Sequence, residues 1–242
     1  QQAFRQRDYP RAERELLAAL ESAPERGDIH FNLGLVLYRM QRYGDAIKAF
    51  EKGLALFPQA IGDAQPLGHC LASIGKLDEA VTWYERVLAA KPTNREALRG
   101  IGVALEKLGR LDDAEKRLRQ AVSLSPDYAP ALLALGRVLV RKKDAASGLP
   151  YLEKARRFDP FEPDVEYELA RAYRLAGSDD LARTALERQR FLSEHRSSID
   201  SLRKRLLTEP MNLSAVVSLA TEYDASGDSV SALQMWEKAY AL

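Results

Sequence analysis

The chain has 242 residues and a formal net charge of +1 at pH 7, because 36 Lys and Arg residues nearly balance 35 Asp and Glu residues. This balance gives no electrostatic reason to expect nucleic-acid binding, and an apolar fraction of 46% is sufficient for a packed core. No run of about 18 apolar residues occurs, so we expect no membrane-embedded segment. The single Cys70 excludes an internal disulfide and a cysteine-rich metal site.

Four kinds of residue recur every 34 positions through most of the chain. The prolines are Pro24, Pro58, Pro92, Pro126 and Pro160. The glycines are Gly34, Gly68, Gly102 and Gly136, and their column continues at Ala170. A column of small residues holds Ala12, Ala46, Ala80, Ala114, Gly148 and Ala182, and a column of large residues holds Leu16, Phe50, Tyr84, Leu118, Leu152 and Leu186. Four columns with one spacing indicate an array of repeats.

Each repeat is predicted to contain two helices. In residues 27–60, apolar residues recur at helical spacing at Ile29, Leu33, Val36, Leu37 and Met40. After a polar turn, a second stripe contains Ala46, Ile47, Phe50 and Leu54, and Pro58 stops it. In later repeats the turn has a Gly suited to a left-handed cap and then an Asp suited to an N-cap, as at Gly75 and Asp78. The repeating unit is therefore a helical hairpin.

The repeat resembles that of the tetratricopeptide repeat (TPR) family. That family has a Leu-Gly pair and a bulky residue in its first helix, an Ala, an aromatic residue and an Ala in its second helix, and a closing Pro. The first full repeat matches this pattern at Leu33, Gly34, Leu37, Ala46, Phe50 and Pro58. The resemblance covers nearly the whole chain. It implies an all-α fold, a right-handed superhelical solenoid of TPR hairpins.

The period predicts a single solenoid over residues 1–242. Its parts are a partial repeat at 1–26, full repeats at 27–60, 61–94, 95–128 and 129–162, a repeat with an extended second helix at 163–212, and a truncated repeat at 213–242. Only residues 1–5 are expected to remain of the first helix of the partial repeat. Neither end shows the polar cap usual in solenoids. We therefore expect a segment of a longer protein, ends that pack on something else, or a chain shortened for crystallisation.

The register breaks after the repeat that starts at residue 163. Between Asp180 and Glu209 there is no Gly and no Pro. A stripe spaced by four and three residues contains Leu181, Ala185, Arg188, Leu192, His195, Ile199, Leu202 and Leu206. This spacing predicts one helix over 180–208, with two helices broken near Ser197 as the alternative. Because Arg188 and His195 interrupt the stripe, packing on its own solenoid is favoured over a dimer seam.

No catalytic constellation is present in the sequence. The three histidines His30, His69 and His195 lie far apart and have no nucleophile arranged beside them. No phosphate-binding loop, dinucleotide fingerprint or paired-histidine motif occurs. We expect no enzyme activity, no cofactor and no metal ion, and we expect Cys70 to be a small buried residue.

The resemblance implies a binding face on the first helices of the hairpins. The residues placed there as candidate partner contacts are Phe31, Asn32, Leu35, Tyr38, His69, Arg99, Arg137, Arg141, Tyr167, Arg171 and Arg174. This face is apolar and aromatic in the first full repeat and basic in later ones, which suits an acidic segment or a C-terminal carboxylate. The alternative is a solvated face, with Arg99 satisfied by Glu96 and Arg171 by Glu168. Arg137 and Arg141 carry the most weight because no acid lies at helical spacing from them.

Two known binding patterns of the family do not occur here. The places of the chaperone-binding carboxylate clamp hold Phe31, Leu35, Pro66, Glu96 and Gly100, and the asparagine ladder of the sugar transferases is matched only by Asn32. The resemblance therefore implies a protein-interaction scaffold or adaptor with a protein or peptide partner. The alternatives are a non-catalytic docking region of a larger enzyme or transport assembly, and a structural subunit that self-associates through uncapped ends.

Overall fold

The computed structural model describes residues 8–242, which contain thirteen α-helices, one 3-10 helix and no strand. The prediction of an all-α array of consecutive hairpins is confirmed. The remnant of a first helix predicted at residues 1–5 lies outside the described residues. The chain divides into two compact units, the first ending at Pro126 and the second beginning at Asp127.

The first unit contains seven of the described helices and the 3-10 helix. They are α1 (Tyr9–Ser22), α2 (Gly27–Arg39), α3 (Tyr43–Leu56), the 3-10 helix (Pro58–Asp63), α4 (Gln65–Ser73), α5 (Leu77–Ala90), α6 (Arg95–Lys107) and α7 (Leu111–Leu124). In this unit α2, α4 and α6 are the first helices of hairpins, and each packs against the second helix that follows it. Successive first helices also contact one another, α2 with α4 and α4 with α6.

The second unit contains six helices. They are α8 (Ala129–Arg141), α9 (Ala145–Phe158), α10 (Pro163–Leu175), α11 (Asp179–Thr208), α12 (Leu213–Ser226) and α13 (Ser229–Tyr240). The hairpins are α8 with α9, α10 with the first part of α11, and α12 with α13.

The glycine column marks the closest approach of the two helices in a hairpin. A Cβ atom on Gly34 would lie 2.6 Å from the Phe50 ring, and one on Gly68 would lie 2.6 Å from the Tyr84 ring. Gly102 and Gly136 face Leu118 and Leu152 in the same way. The large residue of the second helix thus fills the space that a side chain at the glycine would need. Tyr84 also touches Gly100 of the next hairpin, so this column packs both within and between hairpins.

The aspartates expected to be N-caps do not occupy the N-cap positions. The N-caps of α5 and α7 are Lys76 and Arg110, so Asp78 and Asp112 fall inside the first turn, where the helix dipole favours their charge. Side-chain caps occur instead in other turns. Asn94, Asp144, Asn212 and Asp228 each accept a hydrogen bond from the backbone N–H three residues later.

Helix α11 is continuous over thirty residues, whereas α3, α5, α7 and α9 have fourteen each. The prediction of one long helix is confirmed. Its distal half packs on the last hairpin of the unit through Ile199, Leu202 and Leu206, which contact a cluster containing Leu219, Tyr223, Ala232 and Met235. The helix thus packs on its own chain, as favoured, but Leu181 is exposed and lies outside the buried part of the predicted stripe.

Turn residues with positive φ give a first test of this fold. Gly75 has φ +85° and no atom near its missing Cβ, whereas Gln41 holds φ +60° at the corresponding turn. We expect Gln41→Gly to raise the free energy of unfolding by about 1 kcal/mol, because a left-handed residue with a Cβ is strained. Gly75→Gln should lower the free energy of unfolding by a similar amount. Urea denaturation followed by circular dichroism measures both changes. If the two substitutions change the free energy of unfolding in the same direction, strain at positive φ does not explain the effect.

The contact between α11 and α12 should respond to pH. Glu222 accepts hydrogen bonds from His195 Nδ1 at 2.7 Å and Ser198 Oγ at 2.7 Å, and these bonds hold the pKa of its carboxyl below the usual value of 4.5. A lowered folded pKa contributes stability above the unfolded pKa, and this stability is lost as the pH falls through the folded pKa. We expect Glu222→Gln to destabilise the protein at pH 7 and to lose that effect in strong acid.

Chemical denaturation at several pH values measures this difference. Glu194→Gln, at an exposed position on α11 one residue before His195, is the matched control and should change stability little at any pH. A destabilisation by Glu222→Gln that stays constant down to acid pH would show that the hydrogen bonds do not favour the ionised carboxyl.

Candidate functional site

The first helix of the first full hairpin presents a mixed face. Asn32 is exposed, and Phe31, Leu35 and Tyr38 are half-buried. The ring of Phe31 packs edge-on against that of Phe50, with centroids 5.2 Å apart. Phe31 therefore belongs in part to the core of its own hairpin, whereas Tyr38 lies at the other end of the helix beside the next hairpin.

An aromatic cluster forms around Tyr38. The imidazole of His69 lies edge-on to the Tyr38 ring with centroids 5.3 Å apart, and Tyr43 lies 6.3 Å from both rings. Tyr38 comes from α2, His69 from α4 and Tyr43 from the start of α3. Tyr43 was absent from the predicted contacts because it begins a second helix, and only its aromatic side chain beside the turn signalled it.

Arg99 on α6 lies close enough to this cluster to act on it electrostatically. The pKa of the His69 imidazole is lowered, first by burial and then by the positive charges of Arg99 and Lys107. Glu96, one turn before Arg99, accepts a hydrogen bond from Gln65 at 3.1 Å. The Arg99 Nε is buried and has no hydrogen-bond partner. Glu96 therefore does not accept a hydrogen bond from the Arg99 Nε.

An unpartnered buried donor is unusual. Leaving a buried polar group without a hydrogen bond costs about 1–3 kcal/mol, and more when the group is charged. Among residues 8–242, the other buried side-chain atoms without a hydrogen-bond partner belong to Glu166. Arg99 thus stands out as a cation with one buried donor, the Nε, that has no hydrogen-bond partner.

The second unit carries a separate aromatic and basic face on α10. The Tyr167 ring is 49% exposed, and the guanidinium carbon of Arg171 lies 5.9 Å from its centroid. Arg171 also pairs with Glu168 at 2.7 Å, as the solvated-face alternative predicted. Arg174 is exposed one turn further along the same helix.

The remaining predicted cations behave differently from expectation. Arg137 is half-buried and Arg141 is exposed on α8. Both take part in interactions within the folded chain. Their weight rested on the lack of an acidic partner at helical spacing, and these interactions show that this lack does not leave either side chain without a partner.

A buried charge cluster joins three helices of the second unit. The carboxylate of Glu166 is almost fully buried, with Arg188 Nε 3.0 Å from one oxygen and an Arg156 nitrogen 3.9 Å from the other. Burial raises the pKa of this carboxyl, and the two guanidinium groups oppose that rise. Glu153 completes the cluster by accepting hydrogen bonds from Arg156 and Tyr173. The interruption of the apolar stripe by Arg188 was the sequence signal for this cluster, which ties α9, α10 and α11 together.

The long helix also creates a groove that the sequence did not reveal. It encloses about 390 Å³ along the distal half of α11, and its lining includes Leu192, Ile199, Arg203 and Tyr223. The guanidinium of Arg203 lies 5.5 Å from the Tyr223 centroid, and Arg196 pairs with Glu162 at 2.8 Å. The charges on this rim therefore already have partners within the unit.

The described part of the chain shows no group of three or more His, Cys, Asp or Glu residues that could hold a metal ion. Over the same residues, no helix is both long and apolar enough to cross a membrane. Cys70 is buried, and burial raises the pKa of its thiol to about 12, so it remains a protonated thiol at neutral pH.

Solved structures with the same arrangement of hairpins are TPR proteins and related factors. PilW, a widely conserved type IV pilus biogenesis factor, superposes with a TM-score of 0.69 at 19% identity, over 76% of this chain and 86% of its own. YrrB, a TPR protein with an unusual peptide-binding site, gives 0.56 at 18% identity over 92% and 97%. MamA from Desulfovibrio magneticus RS-1 gives 0.61 at 20% identity over 70% and 96%. These identities establish a shared fold.

Comparison with curated protein sequences finds no match. A family model described as tetratricopeptide repeat matches residues 1–61, 99–163 and 133–191, and a second model described as TPR repeat matches 68–109. Together with the 34-residue period and the glycine contacts within hairpins, these matches show that the chain belongs to the tetratricopeptide repeat family and has its all-α solenoid fold.

Proposed function

We propose that the chain is a protein-interaction scaffold or adaptor that binds an acidic segment of a partner on the first-helix faces of its hairpins. The observation that carries this proposal is an uncovered aromatic side chain beside a cation. In the second unit, Tyr167 is half-exposed with Arg171 against its ring. Tyr and Arg are the residue types that contribute most at protein interfaces, because each combines a large contact area with directional polar groups.

The charges on this face favour an acidic partner. Arg171 keeps an exposed edge although Glu168 pairs with it, and Arg174 lies exposed one turn away. A guanidinium group binds a carboxylate through two parallel hydrogen bonds and stacks on aromatic rings. YrrB is described as having an unusual peptide-binding site, which supports an extended peptide as the ligand of this fold. The same face would serve a docking region of a larger enzyme or transport assembly.

Selection from a random displayed peptide library tests this proposal. We expect the selected peptides to be rich in Asp and Glu, and their binding to weaken as salt is raised. The double substitution of Tyr167→Ala and Arg174→Ala should weaken binding at least about tenfold, or about 1.4 kcal/mol. Fluorescence anisotropy with a labelled selected peptide measures the dissociation constant.

Arg183→Ala is the matched control, because Arg183 is an exposed cation on the second helix α11. Its removal should leave peptide binding unchanged. Selected peptides without acidic enrichment, or equal losses in the control and the double variant, would count against a first-helix binding face.

A second candidate function is self-association through α13. Val230, Leu233 and Tyr240 are strongly exposed on this helix, and Trp236 is 39% exposed. Phe50, which holds the place of Trp236 in the first full repeat, is fully buried. In the hairpin of α4 and α5, the corresponding residue Tyr84 is covered by the first helix of the next hairpin at Gly100. A second copy of the chain therefore carries helices of the kind that fit this face.

Sedimentation velocity over a range of concentrations measures this association. We expect the average mass of the wild-type protein to increase with concentration. The double variant Leu233→Glu with Tyr240→Glu should remain monomeric, because burying a charge in an apolar contact is costly. Gln234→Glu, on the same helix, is the control for the added charge. A wild-type protein that stays monomeric at all concentrations would exclude this function.

A further inference from the structure

We propose that Arg99 is the seat for a carboxylate of the partner, and that the rings of Tyr38, Tyr43 and His69 bind an aromatic side chain next to that carboxylate. This inference rests on the proposed function and adds to it a site in the first unit and the chemistry of the group bound there. Arg99, rather than Arg137 or Arg141, is therefore the cation on which we expect partner binding in the first unit to depend most.

The site is assembled from consecutive hairpins. Tyr38 on α2, His69 on α4 and Arg99 on α6 come from three successive first helices, and these helices contact one another in order. Tyr38 and His69 are in edge-on contact. Arg99 precedes Gly100, which packs against the Tyr84 ring, and its positive charge contributes to the pKa of Tyr38, His69 and Tyr84. The cation and the rings therefore form one surface.

The guanidinium of Arg99 is available to a ligand. Its Nε is buried and has no hydrogen-bond partner among residues 8–242, and the side chain as a whole is half-buried. The nearby acid on the same helix, Glu96, is engaged by Gln65. A carboxylate that meets the accessible part of this half-buried side chain would pair with the guanidinium through two parallel hydrogen bonds, which is the geometry that guanidinium favours.

The local charge selects an anion. Burial and the positive charges of Arg99 and Lys107 lower the pKa of the His69 imidazole, which favours its neutral form. A neutral imidazole beside the two phenol rings provides an aromatic contact surface with polar edges, and it adds no third positive charge. The ligand that fits is therefore an Asp or Glu side chain, or a C-terminal carboxylate, beside an aromatic residue.

This seat differs from the carboxylate clamp of the chaperone-binding TPR proteins. The places of that clamp hold Phe31, Leu35, Pro66, Glu96 and Gly100, none of which is a cation. Arg99 immediately precedes the last of these places, and its charge acts on Tyr38 and His69 of the two preceding hairpins. The anion is held by one partly buried guanidinium among aromatic rings instead of by a set of exposed Lys, Asn and Arg side chains.

Three small probes test the seat on the full chain labelled with ¹⁵N. They are N-acetylphenylalanine with a free carboxylate, its amide, and acetyl-Phe-Glu-amide, whose only carboxylate is on the side chain. We expect both carboxylate probes to shift the amide signals of α4 and α6 around His69 and Arg99. Arg99→Gln should weaken this binding at least tenfold, whereas the amide should bind weakly and equally to both proteins. The stronger of the two carboxylate probes identifies a C-terminal or a side-chain source.

Arg86→Gln is the matched control, because Arg86 is a cation on the second helix α5 that lies over the Trp83 ring. It should leave binding of all three probes unchanged. Because the Nε of Arg99 is buried without a hydrogen-bond partner, Arg99→Gln should unfold at the same temperature as the wild type or higher. If that variant fails to fold, Arg99→Lys and competition of the probes by acetate on the wild type provide the same test.

Equal binding of the carboxylate probes to wild type and Arg99→Gln, or no signal change near Arg99, would overturn this inference. That result leaves the proposed function standing if library peptides still bind in a manner that depends on Tyr167 and Arg174. Conversely, suppose that the library yields no acidic peptide while the probes still bind in a manner that depends on Arg99. That result would refute the proposed function and leave only the carboxylate site at Arg99.

Discussion

The close contact between a glycine of the first helix and a large residue of the second helix is the constraint on which each hairpin depends. At Gly34, Gly68, Gly102 and Gly136 a Cβ would overlap the facing side chain, so any larger residue would push the helices apart. Helices packed this closely exclude water from the residues between them. The same large residue can then reach the following hairpin, as Tyr84 reaches Gly100, and this links neighbouring hairpins.

This packing leaves one face of each first helix without a covering helix, and the chemistry of that face varies between repeats. On α10, Arg171 has Glu168 as an intramolecular partner and lies beside the exposed Tyr167. On α6, the buried Nε of Arg99 has no hydrogen-bond partner, and the charge of Arg99 lowers the pKa of His69. A cation with a partner loses little when it stays solvated, whereas a buried cation without one gains most from an incoming anion. The two faces therefore contribute differently to recognition.

The extended helix α11 changes how the second unit is built. Its distal half provides the surface on which α12 and α13 pack, through Ile199 and the cluster around Tyr223. Polar contacts reinforce this junction, because Glu222 of α12 accepts from both His195 and Ser198 of α11. Closer to its start, α11 is tied by Arg188 to the buried Glu166. One helix thus connects two hairpins that the regular period would have placed in direct sequence.

The sequence by itself determined the hairpins, their period, the continuous helix α11 and the buried state of Cys70, because these follow from local apolar spacing and from the positions of Gly and Pro. Only the tertiary structure decided which charged side chains have partners. Glu96 accepts a hydrogen bond from Gln65 and Glu166 pairs with Arg188, and each partner is more than twenty residues away along the chain. Tyr43 joins the aromatic cluster for the same reason, since the contact crosses from one hairpin to the next. Helical spacing describes neighbours on one helix, whereas the environment of a charge depends on every helix packed around it.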